Sequence, residues 1–108
     1  MTVKALSELD GFTGAIICDA DREISGVYIG DLLSWVMGRA SSGDAWITIM
    51  SNINILAVAS LADTSCIIIA ENVKLSDDVL ATAKEKDINI IYSSFGIYDT
   101  AVFMSQVL

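Results

Sequence analysis

Histidine and proline are absent from this chain, and basic residues are scarce, with six Lys and Arg against fourteen Asp and Glu. Without histidine, the usual general base and the commonest metal ligand are missing at neutral pH. A formal net charge of -8 opposes sequence-independent attraction to phosphate backbones and anionic lipid, so neither nucleic acid nor a membrane surface is an expected partner. With no proline and no stretch rich in Gly or Ser, there is no linker, low-complexity tract or repeat. The 108 residues are expected to form one domain, residues 1–108.

Only two cysteines occur, Cys18 and Cys66, each at the edge of an aliphatic run and neither in a C-x-x-C spacing. Unpaired Cys behaves as a small hydrophobe, so both are expected as free core thiols. Lys4, Glu8 and Asp10 interrupt the amino end where a secretory leader would need a charged and then an apolar block. A cytoplasmic protein is expected.

Enzyme signatures are missing too. No G-x-x-x-x-G-K-[ST] loop holds phosphates, no G-x-S-x-G elbow presents a serine, and no G-x-G-x-x-G turn opens a dinucleotide site. Asp19, Asp21 and Glu23 alternate, but a calcium loop needs glycine at its sixth position and an acid at its twelfth, and Ile24 and Gly30 stand there. A solvated acidic loop is the expectation, with no metal and no cofactor. Arg22, set among those three acids, is read as an ion-pair partner that shapes the loop rather than a phosphate anchor.

What is abundant is apolar surface, at 54% of residues. Residues 45–62 carry no charge and approach the ~20 residues that span a bilayer, but Ser51, Asn52 and Asn54 interrupt them, which fits a strand-to-helix turn. Apolar runs of strand length recur at 15–18, 27–29, 45–49, 66–70 and 88–92, most of them separated by helical segments. Continuous runs indicate strands covered on both faces, and strand–helix alternation indicates crossover connections. The expected fold is α/β, a single-domain, mainly parallel sheet flanked by helices.

Helix ends are legible as well. Asp31 is the expected cap of a helix in which Leu32, Leu33, Val36 and Met37 share a face, with Ser41, Ser42 and Gly43 as its stop. Ser76 caps a later helix with Asp77 and Asp78 in its first turn, Lys84 and Lys86 in its last, and Leu75 and Leu80 at the staple positions. A helix after Asn52 places Ile53, Leu56, Ala57 and Ser60 on one stripe but has almost no polar face, so it must be buried nearly all round. The last helix, with Ile97, Ala101, Met104 and Leu108 on one stripe, has the same excess. Two such helices predict a twofold homodimer. Trp35 and Trp46 lack basic neighbours and are read as core or dimer-contact residues.

In open parallel sheets, ligands bind beyond the carboxyl ends of the strands. Ser51, Asn52 and Asn54 follow one strand, Asn72 another, and Ser93 and Ser94 the last, and they are the candidate ligand-binding residues. The same side chains serve equally as helix caps and turn residues with no ligand. Thr48, in phase with Trp46, is expected as a buried hydroxyl bonded to backbone.

Against this background the chain resembles the DRTGG domain family. Asp21 and Arg22 match its first two named positions and Ser25 and Gly26 the next two, with Ser in place of Thr. GDLLSWVM from Gly30 and GDAWITIMSNINILAVASL from Gly43 resemble its second and third characteristic stretches, so the likeness spans most of the chain. Val27 stands where the family's last named glycine belongs, either blocking a close approach or serving as an ordinary strand residue.

Domains of this family occur alone or fused to phosphotransacetylase-like, pyrophosphatase and CBS-containing proteins, and they are similar to the non-catalytic amino-terminal domain of HPr kinase. The resemblance implies an α/β fold, dimerisation and a regulatory part without catalysis. The expected function is a homodimeric, ligand-sensing module that binds a small polar metabolite or nucleotide and signals to an unidentified protein partner. Asp21, Arg22, Ser25 and Gly26 form a loop at the pocket rim or at the dimer contact. The competing readings are a dimerisation or docking scaffold without ligand and, last, a phosphoester or acyl-transfer enzyme.

Overall fold

The computed structural model describes residues 1–108. Its sheet has five strands, β1 (Phe12–Ile16), β2 (Gly26–Ile29), β3 (Asp44–Thr48), β4 (Cys66–Ile69) and β5 (Ile90–Ser93), in the order β1-β5-β4-β3-β2. Strands β2 to β5 are parallel, and β1 closes the far edge antiparallel to β5. This is the α/β sandwich expected, with one antiparallel strand. β1 begins three residues before the expected run, and Ile17 and Cys18, read as its end, lie exposed beyond it.

Five helices cover the sheet: α1 (Val3–Ser7), α2 (Leu33–Arg39), α3 (Asn54–Ala62), α4 (Asp77–Glu85) and α5 (Ile97–Val107). The period-two geometry of a strand sends successive side chains to opposite faces. Trp46, Ile67, Ile69 and Ile90 therefore pack with α2, α3 and α4, while Ala45, Ile47, Cys66, Ile68 and Ile91 pack with α1 and α5. Every residue of β3 and β4 is buried, which is why these strands read as unbroken apolar runs.

α4 starts as expected, with the Ser76 hydroxyl accepting from the Val79 N–H at 3.4 Å, and both Leu75 and Leu80 pack on the core. α2 starts differently. Leu32 is its N-cap with no side-chain bond, and the Asp31 carboxylate instead accepts from the Thr48 hydroxyl at 2.6 Å. Thr48 in turn accepts from the Met50 N–H, so its hydroxyl is buried and bonded to backbone as read, with Asp31 as an added partner.

The buried stripe of α3 is Ile55, Leu56, Val58 and Ala59, not the one expected: Ile53, Ala57 and Ser60 face outward and Leu61 is 76% exposed. The helix is therefore not buried nearly all round as expected, because it rests on the sheet along one side only and nothing in the protomer covers the other. Trp46 is fully buried and donates its indole N–H to the Gly30 carbonyl at 2.9 Å, whereas Trp35 is 51% exposed under the Arg39 guanidinium at 3.7 Å from the ring centroid. Cys18 is likewise exposed and not in the core. Cys66 is buried, and burial pushes its thiol up to about 12.

Candidate functional site

The two groups of expected site residues lie at opposite edges of the sheet, because β2 to β5 run parallel. Ser51, Asn52, Asn54, Asn72, Ser93 and Ser94 all follow strand carboxyl ends, while Asp21, Arg22, Ser25 and Gly26 precede or open β2 at the amino edge.

At the carboxyl edge most side chains already have structural work. Ser93 is fully buried, its hydroxyl paired with that of Thr100 at 2.8 Å and accepting from the Phe95 N–H. The Ser94 hydroxyl donates to the Gly11 carbonyl. Asn72 and the preceding Glu71 adopt left-handed conformations, φ 60 and 62, which fold the chain over the end of β5, where the Asn72 N–H meets the Ser93 carbonyl. Asn tolerates that region and most residues do not. The Asn52 amide oxygen accepts from the Asn54 N–H, an Asx turn before α3. Ser51 and Asn54 remain exposed, and no cavity is lined by any of the six. β4 lies between β3 and β5, so the Ser51 and Ser93 groups stand two strand spacings apart, roughly 9–10 Å.

The motif loop forms a latch. Arg22 reaches across to Asp63, the left-handed C-cap of α3, bonding the carboxylate at 3.2 Å and the backbone carbonyl at 3.0 Å. Ser42 donates its hydroxyl to the other Asp63 carboxylate oxygen. That bond, together with Arg22, holds the Asp63 carboxyl below its ordinary range. Arg22 is thus an ion-pair partner as expected, but its acid comes from α3 and not from its sequence neighbours. Behind the latch, Ser25 donates to the Ser42 carbonyl, and Gly43 turns with φ +87 against Ser25.

Gly26 pairs with Asp44 in the β2–β3 ladder, where a Cβ would stand 2.6 Å from the Asp44 carboxylate. That approach, not turn freedom, is what requires glycine here. Val27 is an ordinary strand residue packed on the α1–α5 core.

A polar cavity of about 130 Å³ opens beside this latch, between the β1–β2 loop, the carboxyl end of α3 and the turn from α4 into β5. Asn89 forms its floor. This side chain, 4% exposed, accepts from the Cys18 and Asp19 N–H groups at 2.8 and 2.9 Å and donates to the Asp19 and Ser65 carbonyls at 3.0 Å each. Thr64 lines the cavity, and its hydroxyl is the one buried side-chain polar atom in the chain without a partner. Leaving such a group unsatisfied costs ~1–3 kcal/mol. The sequence reading found only Arg22 of this site. Asp63 comes from the end of α3 and Asp87 and Asn89 from the turn between α4 and β5, and no motif joins the two segments.

Residues 9–107 match the family model described as the DRTGG domain. Among solved structures, the chain is similar to the CBS and DRTGG domains of the regulatory region of Clostridium perfringens pyrophosphatase, crystallised with its activator diadenosine tetraphosphate. The TM-score is 0.71 at 17% identity, covering 99% of this chain and 50% of that one, so the chain spans about half of that structure. No curated protein matches it. No helix is long and apolar enough to cross a membrane.

Proposed function

The chain belongs to the DRTGG domain family, and from that premise we propose that it is a non-catalytic regulatory module that forms a homodimer through the outer face of α2 and α3. It binds a small polar metabolite or nucleotide and passes that occupancy to a partner protein. The observation that carries the reading is the character of that face. Leu32, Trp35, Ile53 and Leu61 are 56%, 51%, 49% and 76% exposed, on two adjacent helices of one sheet face.

α3 holds no charged residue and α2 holds only Arg39, in a chain whose formal net charge is -8. A twofold contact brings a patch against itself, so an uncharged patch is the one an acidic chain can self-pair without repulsion. α5, the other helix with excess apolar surface, lies on the opposite face of the sheet and belongs to no such contact. At the carboxyl edge, Ser51, Asn52 and Asn54 flank Ile53 and form the polar rim of the interface.

A scaffold without ligand is the second reading, supported at the carboxyl edge by the hydroxyls of Ser93 and Ser94 already being bonded within the fold. Collisional quenching tests the dimer. Trp46 is inaccessible in any state, so quenching by acrylamide reports Trp35. It is expected to fall as protein concentration rises through the association range. Quenching of Trp35 that is independent of concentration contradicts the assigned face.

A further inference from the structure

The cavity beside the Arg22–Asp63 latch has a charge pattern that specifies more than polarity. Its wall presents Asp19, Asp63 and Asp87 against Arg22 and Lys86. Arg22 is already bonded to Asp63, whereas Asp19, Asp87 and Lys86 take part in no ion pair. The free charges are therefore two carboxylates and one ammonium. Ser60 stands on the same wall, and Thr64 lines it with a hydroxyl oxygen that is itself out of solvent's reach.

We infer that this cavity is a binding site for a small zwitterion of the α-amino acid class, its ammonium taken by Asp19 and Asp87 and its carboxylate by Lys86 with the Ser60 hydroxyl. The inference deepens the ligand-sensing part of the proposed function and rests on it. Size and charge both select against the alternatives. A volume of about 130 Å³ is well short of the ~300–1,000 Å³ that encloses a drug-sized ligand, so the cavity cannot enclose a nucleotide. A polyphosphate would also meet two unpaired carboxylates with one free cation to balance them. A diamine would leave Lys86 facing a like charge.

The site is placed to report its occupancy. Ser60, Asp63 and Thr64 belong to the end of α3, the helix whose outer stripe carries Ile53 and Leu61.

The test is a thermal-shift screen of the full chain with each common α-amino acid at millimolar concentration, with putrescine, inorganic phosphate and ATP as single-sign arms. Any hit is followed by amide chemical-shift mapping. At least one amino acid is expected to raise the midpoint and to move the amides of Arg22, Thr64 and Asn89. Lys86→Ala and Asp87→Asn, both at exposed positions, are expected to weaken it about tenfold each. The inference is overturned if no amino acid moves those amides, if putrescine, phosphate or ATP moves them at lower concentration than every amino acid, or if both variants bind as the wild type does. Concentration-dependent quenching of Trp35 persisting alongside such a failure would remove this site and leave the dimeric module standing.

Discussion

Removing the Asn89 carboxamide strands four backbone groups at once, on Cys18, Asp19 and Ser65, in a site with little access to water. Asn89→Ala is expected to cost about 3 kcal/mol in a urea unfolding series. Asn89→Asp keeps the two acceptor contacts and loses both donors, so it is also expected to be destabilising at neutral pH. Gly26→Ala places a methyl 2.6 Å from the Asp44 carboxylate and is expected to cost ~1–3 kcal/mol, because that buried carboxylate must shift and strain the bond it accepts from the Ser41 N–H.

The Asp63 carboxyl is held below its unfolded value of roughly 3.9 by the Ser42 hydroxyl first and Arg22 second, so its contribution is fully present above that pH. It is lost as pH falls through the lower folded value. The stability difference between wild type and Asp63→Asn, followed by thermal unfolding across pH, is expected to vanish on the acid side; a difference that is constant from neutral to strongly acid pH contradicts the latch. The thiols separate as cleanly. Exposed Cys18, its thiol raised by partial desolvation and by the nearby Asp87 charge, reacts with an aromatic disulfide reagent in the folded protein, and Cys66 reacts only after unfolding.

Elements divide by how local their causes are. α4 is set by neighbouring residues, with Ser76 as cap, acids in the first turn, Lys84 in the last and a staple of Leu75 and Leu80, and Ser76→Ala is expected to cost about 1 kcal/mol. Its bounds were therefore readable from sequence. β3 and β4 were readable to within a residue from apolar runs that require cover on both faces, whereas β5 starts two residues after the expected run, in which Asn89 turns its side chain to the β1–β2 loop. α2 was readable only in outline, since the cap Asp31 seemed to offer is drawn away by Thr48, a residue 17 positions later that only the fold brings near.

The same limit governs the site. Arg22 stood out as a lone base among acids, but its partner, Asp63, is 41 positions away, and Asn89 meets the β1–β2 loop from 70. Asp63 and Asp87 each adopt a left-handed conformation at the end of a helix, a role for which sequence offers only the weak signal of a polar residue before the next strand. At the carboxyl edge, the ambiguity between cap and ligand contact resolves one residue at a time. Ser93 is buried in the turn it builds and Asn72 is fixed by its left-handed backbone, whereas Ser51 and Asn54 keep exposed side chains with no bond within the fold.

At the scale of the whole molecule, the sheet separates two helical layers of unequal completeness. α4 is amphipathic and solvated on its outer side, with Asp77, Asp78 and Lys84 there, so its layer is finished at that end. Beside it, α2 and α3 present Leu32, Trp35, Ile53 and Leu61 to solvent. A contact on the scale of ~800 Å² per partner, with Trp35 near its centre, is the arrangement that would cover them. In the proposed dimer α3 would join two functions along nine residues, its outer stripe in the interface and its last turn in the wall of the polar cavity. On the proposed reading, occupancy that alters the Arg22–Asp63 latch would change how α3 is held and so give a ligand a direct physical route to the association surface.

Sedimentation equilibrium of the wild-type chain beside Leu61→Glu tests this account most directly. The substitution adds a carboxylate to a side chain that touches little within its own protomer, so its effect on a monomer's stability is expected to be small. The wild type is expected to fit a mass of about 23 kDa, twice the 11.5 kDa chain. The variant is expected to fit a folded monomer. A wild-type chain that remains monomeric at high concentration, or a Leu61→Glu dimer as tight as the wild type, contradicts the central claim.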